Sequence, residues 1–246
     1  MCGGWCFGAD CVTGDKCFSD HDELKDAVNA YIAGGLSCSK EGACEVTQKY
    51  GWPIGSWCVS NVTDMSYLFK KEDFFNEDLS GWDVSSVRTM KGMFQDCTAF
   101  NSDSLSSWDV SNVEHLYEMF RGAVNFNGDL SQWNVGRVTT LGYMFGETRK
   151  FNGDLSKWDT SNVEDLTGVF YEAMAFDGDI SEWNTERVKS LKETFAGASN
   201  FDGDLSKWNT TRVTNMKATF CEYTSDEVEY CIQFAARCAS LLINVN

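Results

Sequence analysis

Six aspartates, Asp78, Asp103, Asp129, Asp154, Asp179 and Asp204, recur along the chain, each two residues after an amide or a second carboxylate: Asn76, Asn101, Asn127, Asn152, Asp177 and Asp202. Asn-x-Asp and Asp-x-Asp pairs offer hard oxygen donors of the kind calcium takes. Stacked about 5 Å apart, such carboxylates repel by roughly 1 kcal/mol per neighbour in water, so something must offset them. Calcium shared between neighbours would do so, and so would backbone N–H groups donated in a tight turn. Two ligating side chains per unit make a thin cage, which favours the turn role; calcium is the one cofactor the pattern admits, and no other is implied. A second column, Asp83, Asp109, Asn134, Asp159, Asn184 and Asn209, always keeps an oxygen but only half the time a charge. That substitution pattern favours hydrogen bonding over ion binding, and these residues head the candidate binding face.

Catalytic chemistry finds little to work with. Only two histidines occur, His21 and His115, with no nucleophile in a glycine elbow and no phosphate loop, so an enzyme is not expected. Ten of the eleven cysteines cluster at the ends: Cys2, Cys6, Cys11, Cys17, Cys38, Cys44 and Cys58 before or at the start of the regular region, Cys221, Cys231 and Cys238 after it, leaving Cys97 within the repeats. No Cys-x-x-Cys pair occurs, which argues against zinc, and all ten are disulfide candidates in an oxidising compartment. The count is odd, and Cys97 or Cys58 is the expected unpaired thiol. Asn61-Val62-Thr63 and Asn209-Thr210-Thr211 are glycosylation sequons at Asn61 and Asn209.

These residues are positioned by a repeat. Trp57, Trp82, Trp108, Trp133, Trp158, Trp183 and Trp208 recur at intervals of 25, 26, 25, 25, 25 and 25 residues. A fixed period of this length denotes one supersecondary unit that buries its apolar face only against its neighbours. Each unit reads Phe-Asn/Asp-x-Asp-Leu/Ile-Ser-x-Trp-Asp/Asn-Val/Thr-x-x-Val-x-x-Met/Leu-x-x-x-Phe. Val87, Met90, Met93 and Phe94 fall at i, i+3, i+6 and i+7, the stripe of a short helix, and Ser111 with Glu114 has capping-box spacing. Leu79-x-x-Trp82-x-Val84 has the spacing of a leucine-rich-repeat strand. The expected fold is therefore an α/β, leucine-rich-repeat-like solenoid: one short strand and one short helix per repeat, a parallel strand ladder, and disulfide-stabilised caps. The tryptophans and the column Phe100, Phe126, Phe151, Phe176 and Phe201 are assigned to its core.

Three regions follow. Residues 1–50 form a Cys-rich N-terminal cap with one helix near 19–32, residues 51–220 the solenoid of about six to seven repeats, and residues 221–246 a C-terminal capping helix opened by Thr224 and Glu227. With 20 Lys and Arg against 37 Asp and Glu the net charge is −17, which excludes nucleic acid as a partner. No apolar run is long enough to span a membrane, and residues 1–4 lack the features of a signal peptide, so the chain reads as mature or trimmed.

Phe-Asn-Gly-Asp-Leu-Ser-Lys-Trp-Asp-Thr-Ser-Asn-Val at 151–163, with its counterparts over about 50–220, resembles the BspA-like bacterial surface-protein repeat, a Mycoplasma-type domain of unknown function also found in microalgae. Gly51-Trp52-Pro53-Ile54-Gly55-Ser56-Trp57 looks more like the algal members. The resemblance implies a surface or extracellular protein with no catalytic residues. The chain departs from the pattern at Cys58, Cys97 and Ser104, the last an apparent insertion behind the 26-residue interval. The resulting expectation is a secreted or cell-surface, non-catalytic interaction or adhesion module binding a protein or polysaccharide. The alternative is a structural subunit that self-assembles through its stack edges or an odd cysteine.

Overall fold

The computed structural model describes residues 17–38, 40 and 44–221. Two α-helices precede the repeats, α1 at His21–Gly34 and α2 at Glu45–Tyr50, where the sequence pattern suggests one. The Asp20 carboxylate caps α1 by accepting the Glu23 N–H at 3.0 Å. Leu24, Ala27, Val28 and Tyr31 form the buried stripe of α1. Its Lys25 ammonium donates to the carbonyls of Tyr67 and Leu68, both at 2.8 Å, tying the helix to the first repeat. Tyr50 of α2 stacks on Phe18, and both rings pack against Trp57, with centroids 5.9 and 5.4 Å away. The Cys17–Cys58 disulfide joins the start of this region to the first repeat, and Cys38–Cys44 closes the connection between the helices.

The α/β expectation is overturned. Among the described residues no repeat contains an α-helix or a β-strand; the only helical elements after α2 are short 3-10 turns at Ile54–Ser56 and Asp103–Ser107. The stretch expected to be helical is a succession of turns, and it also carries the contacts between repeats. Met93 N–H donates to Met90 O, Gln95 to Gly92 and Cys97 to Phe94, each 3.1 Å and each closing a turn. Alternating with these, Gly92 donates to Tyr117 O, Phe94 to Met119 and Asp96 to Arg121 in the next repeat. The alternation depends on two columns of left-handed residues. Tyr67, Gly92, Glu118, Tyr143, Gly168, Glu193 and Ala218 have φ of 51–58°, and Lys71, Asp96, Gly122, Glu147, Glu172 and Gly197 have φ of 51–73°. A left-handed residue cannot continue an α-helix. It turns every second N–H outward to the neighbouring repeat.

The expected strand is also absent. Trp82 N–H donates to Leu79 O and Val87 N–H to Val84 O, so the Leu-x-x-Trp-x-Val segment and the residues that follow it form two successive turns in place of a strand. What exists instead is a run of single-residue parallel bridges, Asp64 to Thr89, His115, Thr140, Asp165, Ser190 and Asn215 in succession. The capping box expected at Ser111 and Glu114 is not formed either: the Ser111 N–H donates to Asp109, the Glu114 N–H to Arg88 O, and the Glu114 carboxylate pairs with the Arg88 guanidinium of the preceding repeat.

The core is a set of aromatic columns. The seven tryptophans of the 25-residue period, Trp57 to Trp208, are at most 4% exposed. Each indole N–H from Trp82 onward donates to a carbonyl of the preceding repeat: Ile54, Leu79, Leu105, Leu130, Leu155 and Ile180 accept at 2.8–3.1 Å. Phe94, Phe120, Phe145 and Phe170 form a parallel stack with centroids 5.7–6.0 Å apart. Phe100, Phe126, Phe151, Phe176 and Phe201 form a second at 5.9–6.1 Å. These separations lie in the favourable range for offset aromatic pairs. The C-terminal capping helix, with Thr224, Glu227, Cys231 and Cys238, lies outside the described residues.

Candidate functional site

The aspartate column is built from turns. Asp78, Asp129, Asp154, Asp179 and Asp204 each accept the N–H of the serine two residues on, at 2.8–3.0 Å through Oδ1. These bonds hold the carboxyls below the ordinary aspartate range, chiefly through the serine N–H at Asp78, Asp129, Asp179 and Asp204 and through the serine hydroxyl at Asp154. Asp103 differs because the extra residue at Ser104 converts its turn to the 3-10 segment, which Ser102 caps by accepting the Ser104 N–H. The six carboxylates lie in a line, one per repeat. Among the described residues no group of three or more His, Cys, Asp and Glu side chains converges as a metal cage would require.

The amides two residues earlier perform a different task. Asn76 accepts the Asn101 N–H, Asn101 that of Asn127, Asn127 that of Asn152, Asn152 that of Asp177, and Asp177 that of Asp202, at 2.7–3.0 Å. Side chain and main chain thus alternate along the stack. In the second column Asp83, Asp109, Asn134, Asp159, Asn184 and Asn209 each accept the N–H two residues on, at 3.0–3.2 Å. For Asp109 and Asp159 the serine hydroxyl and then the serine N–H lower the carboxyl pKa. All six occupy the same turn position, and all but the half-buried Asn209 are exposed. Asn61 is exposed, whereas the Asn209 Oδ1 also accepts the Thr211 hydroxyl at 2.7 Å.

Other residues of this surface escape a reading of columns alone. Asn112 and Asn162 donate to Ser85 O and Gly136 O of the preceding repeat, and accept from Arg137 and Arg187 of the following one. Thr160 and Thr185 hydroxyls donate to Asn184 O and Asn209 O, both at 3.1 Å, while the equivalent Thr210 hydroxyl is buried with no hydrogen-bond partner. Tyr143 lies across Gly168 and donates to Glu193 Oε2 at 2.5 Å, two repeats away. Only the repeated Asn and Thr at equivalent positions signal such ladders in the sequence.

The stack divides the histidines: His21 Nδ1 faces Asp64 O, and His115 Nδ1 faces the Thr139 hydroxyl. Of the cysteines, Cys58, expected with Cys97 as a candidate unpaired thiol, is bonded to Cys17, because the segment before α1 returns alongside the first repeat. Cys221 is disulfide-bonded as well. Cys97 is free and fully buried, its thiol 2.7 Å from Phe69 O, and burial pushes its pKa up to about 12. Cys2, Cys6, Cys11, Cys231 and Cys238 lie outside the described residues.

The family model described as "Mycoplasma protein of unknown function, DUF285" matches residues 41–158 and 139–230, well over half of the chain. The chain belongs to this family. No curated protein and no solved structure matches it. In this member of the BspA-like repeat family, the matched region runs from before α2 through the whole stack of turns. No helix among the described residues is long and apolar enough to cross a membrane.

Proposed function

We propose that the chain is a non-catalytic extracellular interaction module that holds a protein or polysaccharide at a cell surface through the polar strip flanking the tryptophan column. One observation carries this reading. On both sides of the buried indoles of the middle repeats the side chains are solvent-facing, as in Gln132 and Asn134, Lys157 and Asp159, or Glu182 and Asn184. The strip therefore presents amide, carboxylate and ammonium groups at a constant step, about that of the indoles beneath it, whose centroids are 6.2 Å apart at Trp158 and Trp183. A ligand that itself repeats meets several equivalent positions at once, which multiplies weak contacts into avidity. The disulfides support an oxidising compartment outside the cell. The histidines, engaged at separate places along the stack, offer no shared acid-base site. The alternative is a structural subunit linked to its copies through stack edges or an odd cysteine; the burial of the Cys97 thiol weighs against a cross-link through that residue.

The test uses the intact chain on a glycan array and in pull-downs from a native cell surface. Binding to a repeating glycan or a surface protein is expected, and Lys157→Glu together with Gln132→Ala should abolish it while leaving the circular dichroism spectrum unchanged. Absence of binding on both platforms, or binding indifferent to the two substitutions, removes the proposal.

A further inference from the structure

A second surface, remote in character from the polar strip, lies where α1 meets the first repeats. The end of α1 and the turn after it stand over the segment 72–77 and leave a cleft of about 470 Å³ between them. Ile32 and Phe75 line its interior. Leu36 and Phe74 stand at its edges 92% and 94% exposed, the two most exposed large apolar side chains among the described residues. A fully exposed phenylalanine beside an apolar cleft is the arrangement expected of a binding anchor rather than of packing.

The rim has one sign of charge. Glu72, Asp73 and Glu77 line the cleft and no lysine or arginine does. Of the neighbouring cations, Lys25 donates to the carbonyls of Tyr67 and Leu68, the Lys70 ammonium sits over the Tyr67 ring at 4.8 Å, and Lys71, next to Glu72 in the chain, does not line the cleft. Glu77 is held in place, because the Tyr31 hydroxyl bonds to its two oxygens at 3.1 and 3.0 Å. A carboxylate so oriented loses little freedom when it meets a cation. A second molecule of this chain, itself carrying −17, would bring like charge to this rim.

We propose that this cleft docks a peptide segment of a partner protein in which a bulky aliphatic or aromatic side chain is flanked by Lys or Arg. The apolar side chain enters between Leu36 and Phe74, and the flanking cations meet Glu72, Asp73 and Glu77. Aromatic and arginine anchors in a partly enclosed, acid-rimmed groove are the usual source of specificity in such contacts. The proposal does not depend on the polar strip.

The experiment is a selection of random linear peptides displayed on phage against the intact, oxidised chain, with the Phe74→Ser variant as counter-selection. The most enriched peptide is then synthesised with a fluorophore and titrated by anisotropy. Enriched peptides should carry Leu, Ile, Phe or Trp beside Lys or Arg. Phe74→Ser should weaken the labelled peptide at least about tenfold, as loss of an interface anchor does. Glu77→Gln, which keeps the Tyr31 contact, should weaken it severalfold, added salt should do the same, and Gln132→Ala on the strip should leave it unchanged. Phe74 is solvent-facing, so its replacement leaves the fold intact, which circular dichroism checks. The proposal is overturned by no enrichment, by acidic winners, by winners that bind Phe74→Ser equally, or by concentration-dependent dimers that Phe74→Ser dissolves.

Discussion

Cys97 shows how the stack treats a reactive group. Its position is filled in other repeats by Ala123, Ala173 and Ala198, all buried, and the thiol occupies the same small space with its S–H donated to Phe69 O. With its pKa pushed up to about 12, it stays a neutral thiol at mildly alkaline pH. Iodoacetamide should therefore leave Cys97 unmodified in the native chain and alkylate it only after denaturation; mass spectrometry of the alkylated peptide decides this. The tryptophans carry far more. Trp133 is 3% exposed and its N–H bonds to Leu105 O, so Trp133→Ala removes a full ring and an inter-repeat bond together. A loss of about 3–5 kcal/mol in urea unfolding is expected, with Trp133→Phe costing less. These core assignments were legible from type and spacing, since a large apolar residue every 25 positions has nowhere to go but between neighbours.

At the scale of the element, legibility failed for a definable reason. Val87, Met90 and Met93 recur every three residues because successive turns close over three residues, and a helix leaves nearly the same mark. The feature that separates the two is the left-handed column, and five of its seven members are Tyr, Glu or Ala. None of these residue types announces a positive φ. The remaining two, Gly92 and Gly168, are required: a Cβ on Gly168 would collide with the Tyr143 ring, and its φ is 58°. Gly168→Ala should displace that ring, break the bond to Glu193 and cost about 1–3 kcal/mol, with a downfield change in the Tyr143 ring environment visible by NMR. An unchanged spectrum and melting temperature would show that the ring is not seated there. The aspartate turns, by contrast, could be read correctly from Asp-x-Ser spacing, and Asp103 deviates only where Ser104 lengthens the repeat.

For the whole molecule, the acidic composition and the turn aspartates act in opposite directions as pH falls. Protonation of exposed carboxylates relieves repulsion within a chain of charge −17. The turn aspartates have folded pKa values below their unfolded ones, so their stabilisation is complete above about pH 4 and is lost as pH drops through the lowered values. Calorimetry should show a melting temperature that holds or rises from neutrality to about pH 5 and falls steeply below about pH 4. A profile that declines steadily from pH 7 would mean that these turns contribute nothing. Period, core and polar columns were thus available to a reader of the chain, while the path of the backbone was not, because it is set by bonds between repeats that no single repeat encodes.

The two-way bonding between repeats has one more consequence. Every unit hands an indole N–H backward and a side-chain oxygen forward, so each interface is interchangeable with the next. Excising 134–158 would bring Trp133 next to Asp159, and an Asn or Asp follows every repeat indole from Trp82 to Trp208. Length is therefore an adjustable quantity in this design, open to gain or loss in whole modules, whereas the cross-section, filled ring upon ring, admits almost no change.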